Sequence, residues 1–115
     1  MKVLTPGHKY MLDNFENFGL PGLGQVLQFI EKGKRKDAPF TMAEGDNPED
    51  FITYNDGTTN EEVLRVLIDR LQFLNSKFPC RENAIVITNL EESLMWLEKR
   101  TSDRQKRGVE GQPKA

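Results

Sequence analysis

The chain has 115 residues, of which 16 are Lys or Arg and 18 are Asp or Glu, so its net charge is −2 at pH 7. This length is that of one domain, or of one domain with an appendage, and the slightly acidic balance argues against a general nucleic-acid binder. The sequence holds one cysteine and no apolar run long enough for a signal peptide or a membrane span, so we expect no internal disulfide and a cytoplasmic location.

Residues 1–58 have the pattern of a small antiparallel β-meander. Three short segments rich in aromatic or β-branched residues are separated by clusters of Gly, Pro, Asn and Asp, which is typical of strands joined by turns. These segments are residues 8–14, 24–31 and 51–54. The charged or polar residues 32–36 and 43–50 are predicted to form turns. His8 has no partner at metal-ligand spacing and is interpreted as a loop or strand residue.

The run Gly19-Leu20-Pro21-Gly22-Leu23-Gly24 contains three glycines but does not fit a phosphate-binding loop. Such a loop follows a strand, opens a helix and usually carries Lys-Ser or Lys-Thr after its last glycine. Here Gln25-Val26 follows, and these residues begin a predicted strand. We therefore predict a plain turn that leads into a strand.

Residues 59–108 carry the strongest pattern in the chain, that of two amphipathic helices joined by a very short turn. Thr59 and Glu62 have the reciprocal spacing of a capping box, which predicts the start of the first helix. Apolar residues then recur at spacings of three and four, and so form one helical stripe that we predict to be a core face. This first stripe consists of Leu64, Leu67, Ile68, Leu71, Leu74 and Phe78.

Pro79 marks the turn, because proline disfavours the helical region for the residue before it and fits the first turn of a new helix. Cys80 has no His or Cys beside it and is interpreted as a packed or half-exposed structural thiol rather than a nucleophile. The second helix is predicted to end before Gly108, with cations that suit the helix dipole in its last turns. Its stripe is Ile87, Leu90, Leu94 and Leu97, and its cations are Lys99, Arg100, Arg104, Lys106 and Arg107.

Two helices joined by so short a link pack antiparallel as a helical hairpin. Four apolar residues lie off the two stripes at about 100° per residue, namely Val66, Phe73, Ile85 and Trp96. They predict packing against the N-terminal segment or a second subunit, with ligand stacking as the alternative. The predicted fold is therefore α+β, with a β-strand segment in residues 1–58, an oligomerising hairpin in 59–108 and a flexible tail in 109–115.

No motif for catalysis or for a metal site stands out in the sequence. The all-helical nucleotide pyrophosphohydrolases need carboxylates three residues apart on facing helices to hold magnesium. Neither Glu61-Glu62 nor Glu91-Glu92 has an acidic residue three positions later. No serine or cysteine has a base beside it in sequence, although neighbours in space stay open. We therefore predict a binding protein rather than an enzyme, with no metal and no cofactor.

Several segments of the chain occur together in one order: Asp56-Gly57-Thr58-Thr59-Asn60-Glu61-Glu62-Val63-Leu64, Lys77-Phe78-Pro79-Cys80-Arg81-Glu82-Asn83, Leu90-Glu91-Glu92, Trp96-Leu97-Glu98-Lys99-Arg100-Thr101, Asp103-Arg104 and Arg107-Gly108-Val109-Glu110-Gly111. They span about half of the chain and resemble the phage Thoeris anti-defence sponge family. Thr5-Pro6-Gly7-His8-Lys9-Tyr10 and Gln28-Phe29-Ile30-Glu31-Lys32 are similar to the strand portion of that family. A second phage group, the anti-CBASS cyclic-nucleotide sponges, shares the helical hairpin.

The resemblance implies that the protein sequesters a bacterial immune signal in the cytoplasm of the infected host. Such proteins bind a glycocyclic ADP-ribose isomer without cleaving it and keep it from its effector, and some relatives hold cyclic dinucleotides or trinucleotides in a separate pocket. By the same resemblance the ligand-binding residues are Phe73, Asn83, Arg100 and Arg104, with Arg81 assigned to the second pocket. An aromatic ring, an amide and two arginines match a purine face, a base edge and a diphosphate.

Other interpretations of these residues stay open at this point. Phe73 can be interface core, Asn83 a residue that satisfies backbone groups, and the two arginines a solvated helix end. Because Asn83 and Arg104 would be separated by about 31 Å of helix, one subunit cannot bring both to one small ligand. We therefore predict a site shared by two subunits of a homodimer or a higher homo-oligomer. A nucleotide-cleaving enzyme and a structural or protein-interaction module are the alternative functions.

Overall fold

The computed structural model describes residues 1–16, 20, 22, 24–35 and 51–108. The chain divides into two compact units, Met1–Thr58 and Thr59–Ala115. Within the described residues, the first unit holds five short strands and the second holds two helices. The predicted α+β order, in which antiparallel strands precede a helical hairpin, is confirmed.

A three-stranded antiparallel meander lies in the first unit, with the strands in the order β1-β2-β3. These strands are β1 (Lys2–Thr5), β2 (Lys9–Leu12) and β3 (Gln25–Gln28). Tyr10 pairs with Val3 on one side and with Leu27 on the other, so these three side chains share one face of the sheet. The ring of Phe29 packs edge-on against Tyr10, with centroids 6.0 Å apart. This aromatic contact extends the apolar face beyond the end of β3.

A separate two-stranded antiparallel sheet is formed by β4 (Glu31–Lys34) and β5 (Phe51–Asn55). The predicted meander of residues 8–14, 24–31 and 51–54 is therefore wrong in its third strand, because β5 pairs with β4 and not with the three-stranded sheet. The hydroxyl of Tyr54 donates to the carbonyl of Lys34 across this pair. The prediction of a turn over residues 32–36 is therefore wrong for 32–34. This segment forms a strand because β5 supplies its backbone partners, and an edge strand tolerates charged residues. Residue 35 follows β4 and belongs to no strand. Residues 36 and 43–50 of the predicted turns lie outside the described residues.

In the rest of the first unit, the sequence predicts the strand after the glycine run but misses β1. No strand is predicted over Lys2–Thr5, where the structure forms β1. β1 is preceded by the amino group of Met1, which forms an ion pair with the Asp13 carboxylate at 2.8 Å. Gly24 directly precedes β3, which confirms that the glycine run leads into a strand. Residues 19, 21 and 23 of that run lie outside the described part of the chain, as does the predicted tail 109–115.

The first helix, α1 (Asn60–Lys77), begins at the cap predicted for it. The hydroxyl of Thr59 accepts a hydrogen bond from the backbone N–H of Glu62 at 3.2 Å. The Glu62 carboxylate does not return to the cap but accepts from Arg65 at 3.2 Å, one turn along the helix. The capping box is thus confirmed in its Thr59 half only.

Three residues, Phe78, Pro79 and Cys80, connect α1 to the second helix, α2 (Arg81–Lys106). The Cys80 thiol accepts from the backbone N–H of Asn83 at 3.4 Å and so caps α2. The backbone N–H of Cys80 donates to the Asn75 side chain at 3.0 Å. Cys80 is exposed, so the packed alternative of the prediction is wrong, whereas its capping bond gives the thiol the structural role that was predicted.

The two helices pack through the predicted stripes, except that Leu67, assigned to the first stripe, is 42% exposed. Leu64, Ile68, Leu71 and Leu74 on α1 and Ile87, Leu90, Leu94 and Leu97 on α2 are half-buried. Phe78 is 82% exposed, so its assignment to the first stripe is wrong. Its backbone angles of φ −136° and ψ 81° leave the helical region, and the side chain leaves the stripe with them. Across residues 1–16, 20, 22, 24–35 and 51–108, no residue is fully buried.

The hairpin is antiparallel, since Arg65 near the start of α1 contacts Glu98 in the second half of α2 at 3.2 Å. We call the end with the connecting residues Phe78–Cys80 the turn end, and the other end the open end. Gly108 ends α2 at the open end with φ +69°, a backbone conformation that favours glycine. No described helix is long and apolar enough to cross a membrane.

Candidate functional site

Phe73 lies on the side of α1 that faces away from the stripe, and 59% of its surface is exposed. It lines a groove of about 470 Å³ together with Glu62, Arg65, Val66, Asp69 and Arg70, all of which belong to α1. This volume is within the range of about 300–1,000 Å³ that small-molecule sites occupy. The groove is the surface on which an aromatic ligand can stack against Phe73.

Two cations flank the Phe73 ring along α1. Arg70 precedes it by three residues and lines the same groove. Lys77 follows it by four residues, and the Lys77 ammonium lies 5.3 Å from the ring centroid. Residues at these spacings are neighbours on a helix surface. Asp69, four residues before the ring, lines the groove as well, so the ring has mixed charge on its Arg70 side and a cation on its Lys77 side.

Asn83 is half-buried in the first turn of α2, at the turn end of the hairpin. Its backbone N–H is held by the Cys80 thiol, so the Asn83 amide is not the group that caps the helix. Sequence reasoning did not predict Cys80 as the cap. In the sequence, the position of Cys80 directly before the helix is the only signal for this cap. Its residue type gives none, because thiols rank below hydroxyls and carboxylates as capping groups.

Arg100 and Arg104 lie in the last part of α2, at the open end. Arg100 is exposed and makes no ion pair with any other residue of the described ranges, whereas Arg104 is half-buried. Their neighbour Asp103 accepts a hydrogen bond from Lys99 at 2.9 Å, and this bond holds the pKa of Asp103 below its usual value. Lys99 is therefore paired with a carboxylate of its own helix, whereas Arg100 has no such partner among the described residues.

The structure places these candidate residues at opposite ends of the hairpin. Phe73 lies about one turn before the end of α1, and Asn83 lies in the first turn of α2, so both are at the turn end. Asn83 and Arg104 share the uninterrupted helix α2, which puts about 31 Å of helix rise between them. The groove at Phe73 includes none of the other three residues.

Arg81 is separated from these residues by its orientation. It lines a different groove, of about 270 Å³, with Ala84, Ile85, Thr88 and Asn89. Because Arg81 precedes Asn83 by two residues, the two side chains point in nearly opposite directions around α2. Arg81 therefore cannot contact the same part of a small ligand as Asn83 within one subunit.

A third groove, of about 260 Å³, lies at the open end between the two helices. It is lined by Thr59, Glu61, Arg65, Glu98, Thr101, Ser102 and Gln105. The Arg65 guanidinium donates to Glu98 and to Glu62, and these bonds, chiefly the one to Glu98, raise the pKa of Arg65. Sequence reasoning missed this groove, because Arg65 and Glu98 are 33 residues apart in the chain.

Comparison with known proteins gives a family for the hairpin. The family model described as "Acb2/Tad1, hairpin domain" matches residues 41–102. The chain belongs to the Acb2/Tad1 hairpin family. The family match contains Phe73, Arg81, Asn83 and Arg100, whereas Arg104 lies two residues beyond its end.

A named relative supports the same assignment. The chain is 61% identical over 56 residues to the protein Thoeris anti-defense 1 of Bacillus phage SBSphiJ7. This similarity covers 48% of the chain and 39% of the relative, so the chain matches well under half of the relative's length. Together with the hairpin match, it confirms the family resemblance predicted from the sequence motifs. In the part of the chain that the structure describes, no three His, Cys, Asp or Glu residues are grouped so as to hold a metal ion.

Proposed function

We propose that this protein binds a cyclic ADP-ribose-type immune signalling nucleotide without cleaving it and so keeps it from a Thoeris effector. It would act as a phage anti-defence protein in the cytoplasm of the infected bacterium. The observation that carries this proposal is the 61% identity over 56 residues to a phage protein named Thoeris anti-defense 1.

The chemistry of the exposed residues supports such a ligand. Phe73 offers an apolar ring to the purine, and the amide of Asn83 can both donate to and accept from a base edge. Arg100 and Arg104 can each hold phosphate oxygens through two parallel N–H groups, a geometry that suits a diphosphate. Apart from Asn83 and Arg104, which are half-buried, these side chains are exposed in the single chain and accessible to a ligand.

The positions of these residues support a site between two subunits. If a second hairpin packs antiparallel on the first, its Arg100 and Arg104 lie beside the Phe73 and Asn83 of the first subunit. A two-fold axis then creates an identical second site at the other end of the pair. The arrangement gives at least a dimer, with one ligand per subunit.

Exposed apolar surface on the hairpin supports this assembly. Val66 on α1 is 60% exposed and Trp96 on α2 is 57% exposed, although both are large apolar residues on well-formed helices. Aromatic residues are enriched in the buried centre of protein interfaces. A partner hairpin would cover Val66 and Trp96 and would compensate for the lack of fully buried residues in the described chain.

Arg81 supports a second binding site for cyclic dinucleotides or trinucleotides, such as those of CBASS signalling. Its groove contains one cation, the polar side chains of Thr88 and Asn89, and the apolar Ile85. Arg81 can contact a phosphate, and Ile85 offers an apolar surface to a base. Both lie on a different side of α2 from Asn83.

Titration calorimetry with glycocyclic ADP-ribose tests the proposal. An effective sponge must compete with the host sensor, so we expect an affinity near the nanomolar range, which corresponds to about −12 kcal/mol. The expected stoichiometry is one ligand per subunit, and sedimentation should show a dimer or a larger assembly. Absence of measurable heat with this ligand would overturn the proposed function.

A further inference from the structure

We infer that Lys77 is a further ligand-contacting residue, whose ammonium group binds a phosphate of the nucleotide that stacks on Phe73. The inference rests on the proposed function and extends its site by one residue. The Lys77 ammonium lies 5.3 Å from the centroid of the Phe73 ring. The cation therefore already stands at the surface where an aromatic ligand would stack.

The charge of Lys77 is available to a ligand. Lys77 forms no ion pair with another residue of the described ranges, in contrast to Lys99, which pairs with Asp103 at 2.9 Å. Lys77 is the last residue of α1, at the same end of the hairpin as Asn83. A phosphate attached to a nucleoside that stacks on Phe73 would therefore contact a cation of the same helix. This contact does not depend on a partner subunit.

The strengths of the two contacts favour transfer of the ammonium from the ring to the ligand. A cation over an exposed aromatic ring is held weakly, because water screens the attraction. A charge-assisted bond between an ammonium and a phosphate is stronger, and it strengthens further when the site excludes water. The bound nucleotide would therefore draw Lys77 to its phosphate and leave the ring face to the base.

If Lys77 acts only on the stability of α1, its replacement should leave nucleotide affinity unchanged. Cations in the last turn stabilise a helix through its dipole, and Lys77 is in that position on α1. Lys106 is the last residue of α2 and has the same relationship to its own helix. Lys106 is therefore a matched control for a role that concerns helix stability alone.

The test compares Lys77→Met, Lys77→Arg and Lys106→Met by titration with glycocyclic ADP-ribose at about 0.1 M and about 1 M ionic strength. We expect Lys77→Met to bind about tenfold more weakly at the lower salt, with a smaller deficit at the higher salt, since salt screens the lost charge. Lys77→Arg keeps the charge and should bind within about threefold of the wild type. Lys106→Met should bind like the wild type, and melting temperatures verify that each variant folds.

Three results would overturn the inference while the proposed function stands: wild-type affinity in Lys77→Met, a deficit that does not change with salt, or an equal deficit in Lys77→Arg. A wild-type protein that does not bind the nucleotide would instead overturn the proposed function, and the role of Lys77 with it. The wild-type titration therefore separates the two failures.

Discussion

The Nη2 atom of Arg65 on α1 lies 3.2 Å from Oε1 of Glu98 on α2, and this ion pair joins the two helices near the open end of the hairpin. The other terminal nitrogen of Arg65 donates to Glu62 at the same distance. One guanidinium thus contacts carboxylates on both helices. All three side chains are exposed, so water and salt screen the attraction between them.

Substitution of Arg65 or Glu98 by Gln should lower the melting temperature by no more than about a few degrees, because exposed ion pairs contribute little. The effect should shrink as salt is added. Thermal unfolding of Arg65→Gln, Glu98→Gln and the double variant measures the coupling between the two side chains. Additive effects of the two substitutions would show that the ion pair contributes nothing to the fold.

The Lys99–Asp103 pair should stabilise the hairpin in a pH-dependent way. Lys99 lowers the pKa of Asp103 in the folded protein, chiefly through a hydrogen bond, so the unfolded chain binds the proton more readily. The stabilisation is therefore present above the usual Asp pKa of about 3.9 and is lost as the pH falls through the lowered value. Asp103→Asn should melt below the wild type at about pH 7 and at the same temperature near about pH 2. An equal difference at both pH values would contradict this prediction.

Replacement of Arg100 and Arg104 by Ala should weaken nucleotide binding by about a hundredfold or more, because each charge-assisted phosphate contact is worth roughly 1.5–3 kcal/mol. Titration calorimetry measures the loss. The double variant Lys106→Ala, Arg107→Ala is the control, since it removes the same charge from the same end of α2. Wild-type affinity in the Arg100, Arg104 variant would remove both residues from the site.

The hairpin could be predicted from the sequence because its signals are local. Thr59 precedes a helical stripe, Pro79 interrupts the pattern and Gly108 ends it, and each acts on neighbours within one or two turns. The separation of Asn83 from Arg104 follows from the constant rise of a helix. The exposure of Phe73 follows from its angle to the stripe.

Other features depend on contacts that spacing does not encode. The Arg65–Glu98 pair requires the register in which α1 packs on α2, which the stripes restrict but do not determine. β4 forms because β5 supplies backbone partners to a lysine-rich segment that has no apolar period of its own. The cap at Cys80 depends on the Asn75 side chain, which holds the turn from the preceding helix. A site shared by two subunits depends on how two chains pack together.

Mixed oligomers test whether two subunits share the site. A Phe73→Ala subunit and an Arg100→Ala, Arg104→Ala subunit should each bind poorly alone. In the heterodimer, the intact Phe73 of one subunit meets the intact arginines of the other, so one of the two sites recovers. Calorimetry on a purified heterodimer should give half the wild-type stoichiometry at near wild-type affinity. A correctly assembled heterodimer that binds no ligand would exclude the shared site.

Recovery of the bound ligand tests whether the protein sequesters the nucleotide without cleaving it. The wild-type protein is incubated with glycocyclic ADP-ribose, freed of unbound nucleotide and denatured by heat, and the released material is separated by chromatography. We expect intact nucleotide in an amount equal to that bound, and the released nucleotide should activate a Thoeris effector. Recovery of cleaved fragments would indicate a nucleotide-cleaving enzyme, and failure to take up the nucleotide would leave a structural or protein-interaction module. Either result would rule out sequestration without cleavage.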